Sequence, residues 1–560
     1  MKKRILFVAF VLLVAGAAAL WVFGRPAYRR YKENRSVAQA RVFMAHADYR
    51  DASLSARKAL LINSNNLDAC RLMADLADQT HSPQVLEWRR RITDLAPTLQ
   101  NRLLLASTGL RVQGKPYSIA AQILEELAGS AQDSADYHVV EADLALRLGN
   151  PSEAAAQFEA AARLEPTNQT HQMNLAVLRL QSTNQDVASG ARTTLERLSG
   201  SPEVGTAALR WLVEDRLRRN DLAGADRFSR QLLADPHADL PDQLDRLNIL
   251  QQTKSPEFNA YLGSVQRDAL TNAAAAYTVA SWMLGHDMAE GARQWLTNCP
   301  AKLRAEQPVP LALVDCYFAG KDWTGLDSFL ANEKWRDLEF LRFAFLSRAS
   351  EEEQQNPAAD ARWRSALREA DTQLGALTSL LNLARSWKRT RAEEELLLQI
   401  GQYFQRERWA WRDLERMDIA AGDTRGLNKL YAMRAEYDST NFMAQNNLAA
   451  TSLLLNFNLP HAHELARELY QSRPEDAIIA STYAYSLHLQ GRTQAGLTAL
   501  GKLKPESLEL PTVALYYGLL LSAADEPAMA AKYLGLAKKG QLLPEEKTLL
   551  DEAVKAASRK

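Results

Sequence analysis

Residues 135–168 read ADYHVVEADLALRLGNPSEAAAQFEAAARLEPTN, and the placing of their small, apolar and turn residues decides the fold. Ala142 sits within a predicted first helix, Gly149 and Asn150 form a turn, and Ala154, Phe158 and Ala161 line a second helix. Leu164, Glu165 and Pro166 then close the unit. Glycine at such a turn takes positive φ without strain and stops a helix, and proline cannot continue one. The pattern recurs downstream: Ala176 falls 34 residues after Ala142, and Ala188 falls 34 after Ala154. Near the other end Ala484 and Gly518, Gly491 and Asp525, Gly496 and Ala530, and Leu500 and Leu534 are each 34 apart. One register held at four positions marks a repeated unit rather than coincidence. Its small residues let paired helices approach, and larger ones such as Phe158 and Phe228 fill the gap to the next unit.

This 34-residue spacing of Ala, Gly, Ala, Phe, Ala and Pro resembles the tetratricopeptide repeat. The resemblance is strong over 39–66, 135–198, 206–236 and 422–542 and weak from about 240 to 410. It implies an all-α fold, an α-solenoid of helix-turn-helix repeats. An N-terminal array spans 39–238, degenerate helical repeats or a separate insert span 239–410, and a C-terminal array spans 411–560. The charged last helix, from Pro544, is suited to cap the open end of a stacked array.

Composition agrees with a folded helical chain. Hydrophobic residues make up 47% and charged residues 24% of 560 residues, which excludes a disordered class. Lys+Arg and Asp+Glu are equal at 67 each, so no long basic track for nucleic acid is expected. Cys70, Cys299 and Cys316 show no C-x-x-C spacing, which points away from disulfides or structural zinc and toward buried small side chains.

The N-terminus reads as a membrane anchor. Lys2, Lys3 and Arg4 form a basic segment (1–4) before an uncharged run over 5–24, long enough as a helix to cross a bilayer. Trp21, Tyr28 and Tyr31 stand at or near its end, where interfacial aromatics are favourable, and a juxtamembrane linker is expected over 25–38. The alternative, a cleaved signal peptide, would use Ala17, Ala18 and Ala19, but these lie inside the apolar run. Charges alone put the large domain in the cytoplasm. A basic segment before an apolar run is also how export signals begin, and a single-pass inner-membrane protein with a periplasmic domain is the expected topology.

No catalytic, cofactor or metal site is expected, and the chain reads as a non-enzyme. Residues 109–115 match the front of a phosphate-binding loop, but Pro116 replaces the needed hydroxyl and the stretch falls where a repeat turn is due. His461 and His463 are two apart and point to different helix faces, unlike a metal-binding i, i+4 pair. The resemblance implies a concave surface of first helices able to hold an extended peptide. Asn174, Asn382 and Asn447 stand just before Leu-Ala pairs, where peptide-binding relatives carry a groove-facing asparagine. The function expected is a membrane-tethered scaffold for other proteins or peptides, in envelope assembly. The alternative is an accessory that binds or exports polysaccharide, with Trp282, Trp295, Trp323, Trp335, Trp387, Trp409 and Trp411 stacking on sugars if exposed.

Overall fold

The computed structural model describes residues 25–404 and 407–558. Among them there is no strand, and helices follow one another as antiparallel pairs. In the unit quoted above the helices are Ala135–Leu148 and Pro151–Leu164. Ser134 caps the first by accepting a bond from the Tyr137 N–H, Gly149 ends it at φ +87°, and Pro151 opens the second in its first turn. Ala142 and Ala154 are wholly buried where the two helices meet, and Phe158 packs beside them. The next pairs, Gln169–Arg179 with Gln185–Leu198 and Gly205–Arg218 with Leu222–Leu233, repeat the arrangement.

Helix pairs continue through the stretch where the repeat signature fades. First helices begin at Leu240, Ala273, Val309, Glu339, Leu374 and Arg408, in steps of 33, 36, 30, 35 and 34 residues. The expected linker over 25–38 is part of a helix, Arg25–Ala45, which buries Glu33, Ser36, Val37 and Ala40 and packs on Tyr49–Ile62. No helix among the described residues is long and apolar enough to cross a membrane, and the expected anchor, 5–24, lies outside them.

The chain divides into two compact units, Met1–Ala312 and Leu313–Lys560. In the second, the last helix, Pro544–Ser558, packs on Pro511–Ala523 and Pro527–Ala537 through Leu550 and Ala553. Its N-terminal end also reaches back. Pro544 lies against Gly422, Glu545 accepts a bond from Thr424, and Leu543 packs against both the cluster around Tyr431 and the one around Tyr516. Glu546 accepts a 2.8 Å bond from the Tyr516 hydroxyl and a 2.9 Å bond from the Leu543 N–H. Burial raises the Glu546 carboxyl above its ordinary range.

Candidate partner-binding groove

A wide opening lies in the first unit, between the second helices of two successive pairs. Helix Pro151–Leu164 forms one wall with Ser152, Ala155 and Ala162, and helix Gln185–Leu198 forms the other with Val187, Gly190 and Thr194. Helix Gln169–Arg179 is the floor, presenting Gln172, Leu175, Ala176 and Arg179, a stripe at helical spacing. The volume is about 1040 Å³. Small side chains keep it open, and a Cβ added at Gly190 would meet nothing within 4 Å. Helix Gln185–Leu198, of 14 residues, is about 20 Å long, room for roughly six residues of extended peptide or a few turns of helix.

Polar groups set the rim. Arg179 pairs with Glu159 at 2.9 Å and Arg197 donates to Gln172 at 2.5 Å, so both guanidinium groups are held beside the opening. Asn184 caps helix Gln185–Leu198 by accepting from the Asp186 and Val187 N–H groups, which fixes the turn at one end. At the other end Asn168 caps helix Gln169–Arg179 and donates to Glu165, which also takes a 3.1 Å bond from His171. The Asn168 bond is the main reason the Glu165 carboxyl sits below its usual range. A floor of leucine and alanine with a rim of mixed charge is suited to an amphipathic protein segment.

The predicted asparagines do not line this groove. Asn174 is half-buried on helix Gln169–Arg179, one residue off the floor stripe, and makes no side-chain hydrogen bond. Asn382 is exposed on Leu374–Ser386, in the second unit. Asn447, on Phe442–Leu454, is half-buried beside Tyr431, whose hydroxyl donates to Glu415 at 2.7 Å. Its neighbour Asn446 is the more unusual residue, buried with neither amide atom hydrogen-bonded. The groove residues Ala155, Gly190 and Thr194 escaped the sequence reading. The available signal was a run of small side chains on the outer face of second helices, where long charged side chains are usual.

None of the seven central tryptophans is exposed. Trp335 and Trp411 are buried and the other five are half-buried, while Trp363, outside that set, is buried as well. In the second unit Trp387 packs within 6.4 Å of Phe318, Phe345 and Trp363, with the Arg389 guanidinium 5.4 Å from its ring. The three cysteines are buried and form no disulfide, and His463 bonds to Ser486 at 2.8 Å.

These helix pairs define the class: an α-solenoid of tetratricopeptide-like repeats. No family model matches the sequence, and no curated protein matches it. Among solved structures the chain is similar to Pseudomonas aeruginosa PilF, at 16% identity and a TM-score of 0.31 over 40% of this chain and 99% of that one. It is similar to PilW, a widely conserved type IV pilus biogenesis factor, at 18% identity and a TM-score of 0.26 over 42% and 92% of the two chains. A likeness at 12% identity and a TM-score of 0.29 extends over 93% of this chain and 96% of a chain in the Cut9–Hcn1 hetero-tetramer of the APC/C. All three are helical repeat proteins, and pilus biogenesis and the APC/C belong to those proteins.

Proposed function

We propose that this chain is a non-enzymatic scaffold that holds a segment of a partner protein in the groove over helices Pro151–Leu164, Gln169–Arg179 and Gln185–Leu198. The observation that carries the reading is the groove itself: about 1040 Å³, held open by small side chains, floored by leucine and rimmed by positioned arginines. Burial of an apolar segment there supplies affinity, at about 25 cal/mol per Å² before ordering costs, and the rim charges supply register. The finer reading is that residues 5–24 tether the scaffold to the inner membrane, that its domain is periplasmic, and that its partners act in envelope assembly. Support for the tether is the uncharged run between Lys2, Lys3, Arg4 and the basic stretch from Arg25.

Filling the groove tests the reading. Gly190→Trp places a large ring in open space, so the fold is expected to survive while partners recovered from native membranes are lost. Unchanged recovery with a folded Gly190→Trp chain would refute the groove as the binding site.

A further inference from the structure

The first described helix pair carries charge out of proportion to the chain. Residues 25–62 hold nine Lys and Arg against three Asp and Glu, whereas residues 63–560 hold 55 against 64. Arg30, Arg35, Arg50, Arg57 and Lys58 are exposed, and none of them forms an ion pair. Lys32 lies 5.2 Å from the Tyr28 ring. Large apolar side chains are exposed beside these cations: Tyr28 at 59%, Tyr31 at 60% and Leu61 at 87%.

The two helices bring these groups, Arg50 excepted, toward one end. Arg29 donates to the Ile62 carbonyl at 3.2 Å, so the start of Arg25–Ala45 lies beside the end of Tyr49–Ile62. Glu33 fastens the same end by accepting bonds from Asn63 and Asn66. Leu61 and Lys58 therefore lie near Tyr28, Tyr31 and Lys32, at the end that the sequence enters from the uncharged run 5–24. Tyr28 and Tyr31 lie about 5 and 9 Å along the helix from Arg25, which spans the depth of a lipid headgroup layer.

We propose that this end of the first pair docks on an anionic lipid bilayer, its cations on the headgroup phosphates and Tyr28, Tyr31 and Leu61 in the interfacial layer. The proposal rests on the reading of 5–24 as membrane-embedded. Cations alone would suit any polyanion. Tyrosine and leucine among them favour an interface that is charged at its surface and apolar just beneath. Such docking fixes the orientation of the array on the membrane in a way that a single tethering segment does not.

The test uses the full chain carrying Leu61→Cys labelled with NBD, which is selective because the three native cysteines are buried. It is reconstituted into lipid nanodiscs of phosphatidylcholine alone or mixed with phosphatidylglycerol. The label is expected to brighten and shift to the blue only in the anionic discs. At 1 M salt, where screening acts within about 3 Å, the shift is expected to vanish. Arg30→Glu, Lys32→Glu and Arg35→Glu together should abolish it, since each cation at an anionic surface contributes on the order of fivefold in binding. Arg57→Glu with Lys58→Glu, on the other helix, is the independent variant and should act in the same direction. Equal emission in both discs, or a shift that survives both sets of reversals, overturns the docking. Co-elution with neutral discs reads the anchor separately. Retention without a shift keeps the anchor and overturns the docking, a shift in anionic discs without retention by neutral ones does the reverse, and neither signal overturns both.

Discussion

Gly496 and Gly535 occupy second helices of successive pairs in the C-terminal array, and the same substitution at each should act with opposite sign. Replacing a helical glycine by alanine lowers backbone entropy in the unfolded chain and favours the helix by about 1 kcal/mol. Gly535, on Pro527–Ala537, has nothing within 4 Å of an added Cβ, so Gly535→Ala should gain that full amount. At Gly496, on Thr493–Leu500, the added carbon would stand 2.6 Å from Leu520 Cδ2 and 2.9 Å from the carbonyl oxygen of Ala484. The leucine can turn aside, but the carbonyl belongs to the paired helix Ala477–Leu489, and the helices must separate. Overpacking of that kind costs about 1–3 kcal/mol, so Gly496→Ala should lose about 1 kcal/mol net. Amide hydrogen exchange followed by mass spectrometry suits a long array whose units open separately. Peptides from 477–500 should exchange on the order of fivefold faster in Gly496→Ala, and those from 527–537 correspondingly slower in Gly535→Ala. Slower exchange in Gly496→Ala as well would refute the claim that small residues are present to let helices approach.

Other outcomes follow from single sites. Asp418 is buried and its carboxyl is raised to about 6, first by that burial and then by Asp423 and Glu394. The folded chain therefore holds this proton more tightly than the unfolded one, so the group destabilises at pH 7 and stability rises as pH falls toward 4. Asp418→Asn should raise stability at pH 7 by about 1 kcal/mol, after allowance for solvent screening, and flatten that rise in melting curves at pH 7 and 5. Asn174→Ala should leave melting unchanged, because its amide has no hydrogen-bond partner to lose. Full-length protein should remain with membranes through alkaline and high-salt washes. Release by alkali, or a mature N-terminus at or beyond Leu20, would remove the anchor.

The helix pairing was legible because alanine and glycine at fixed spacing have one geometric use. Ala142, Ala154, Ala484 and Gly518 each lie where two helices touch. The middle stretch was harder for a physical reason. Its second helices Ala289–Thr297 and Trp323–Ala331 are only nine residues long, and the short helix Ala301–Arg304 and the 3-10 turn Arg336–Leu338 fill out the spacing. Landmarks therefore drift although helix pairs persist: in Asn356–Ala370 the buried Ala359, Trp363 and Ala366 keep the spacing of Ala154, Phe158 and Ala161 with tryptophan in the large position, and buried Trp335 stands before the 3-10 turn. The linker expected over 25–38 hid a helix because its exposed face is basic, and only the stripe of Ser36, Val37 and Ala40 betrays the buried side. The groove was legible only as the small side chains on the outer face of its second helices, such as Ala155 and Gly190. It depends on how far two second helices splay, which no single residue encodes, whereas the asparagines were chosen by position within a repeat.

The proposed partner segment lies between helices Pro151–Leu164 and Gln185–Leu198. The most direct measurement is site-specific photo-crosslinking in native membranes, with a benzophenone amino acid at Gly190 or Ala155 and, for comparison, at Asn382 or Leu54. The same partner band is expected from 190 and 155, mapping to one amphipathic segment, with none from 382 or 54. Crosslinks from 382 or 54 equal to those from the groove, or no crosslink at 190 and 155 in a folded chain, would contradict that placement.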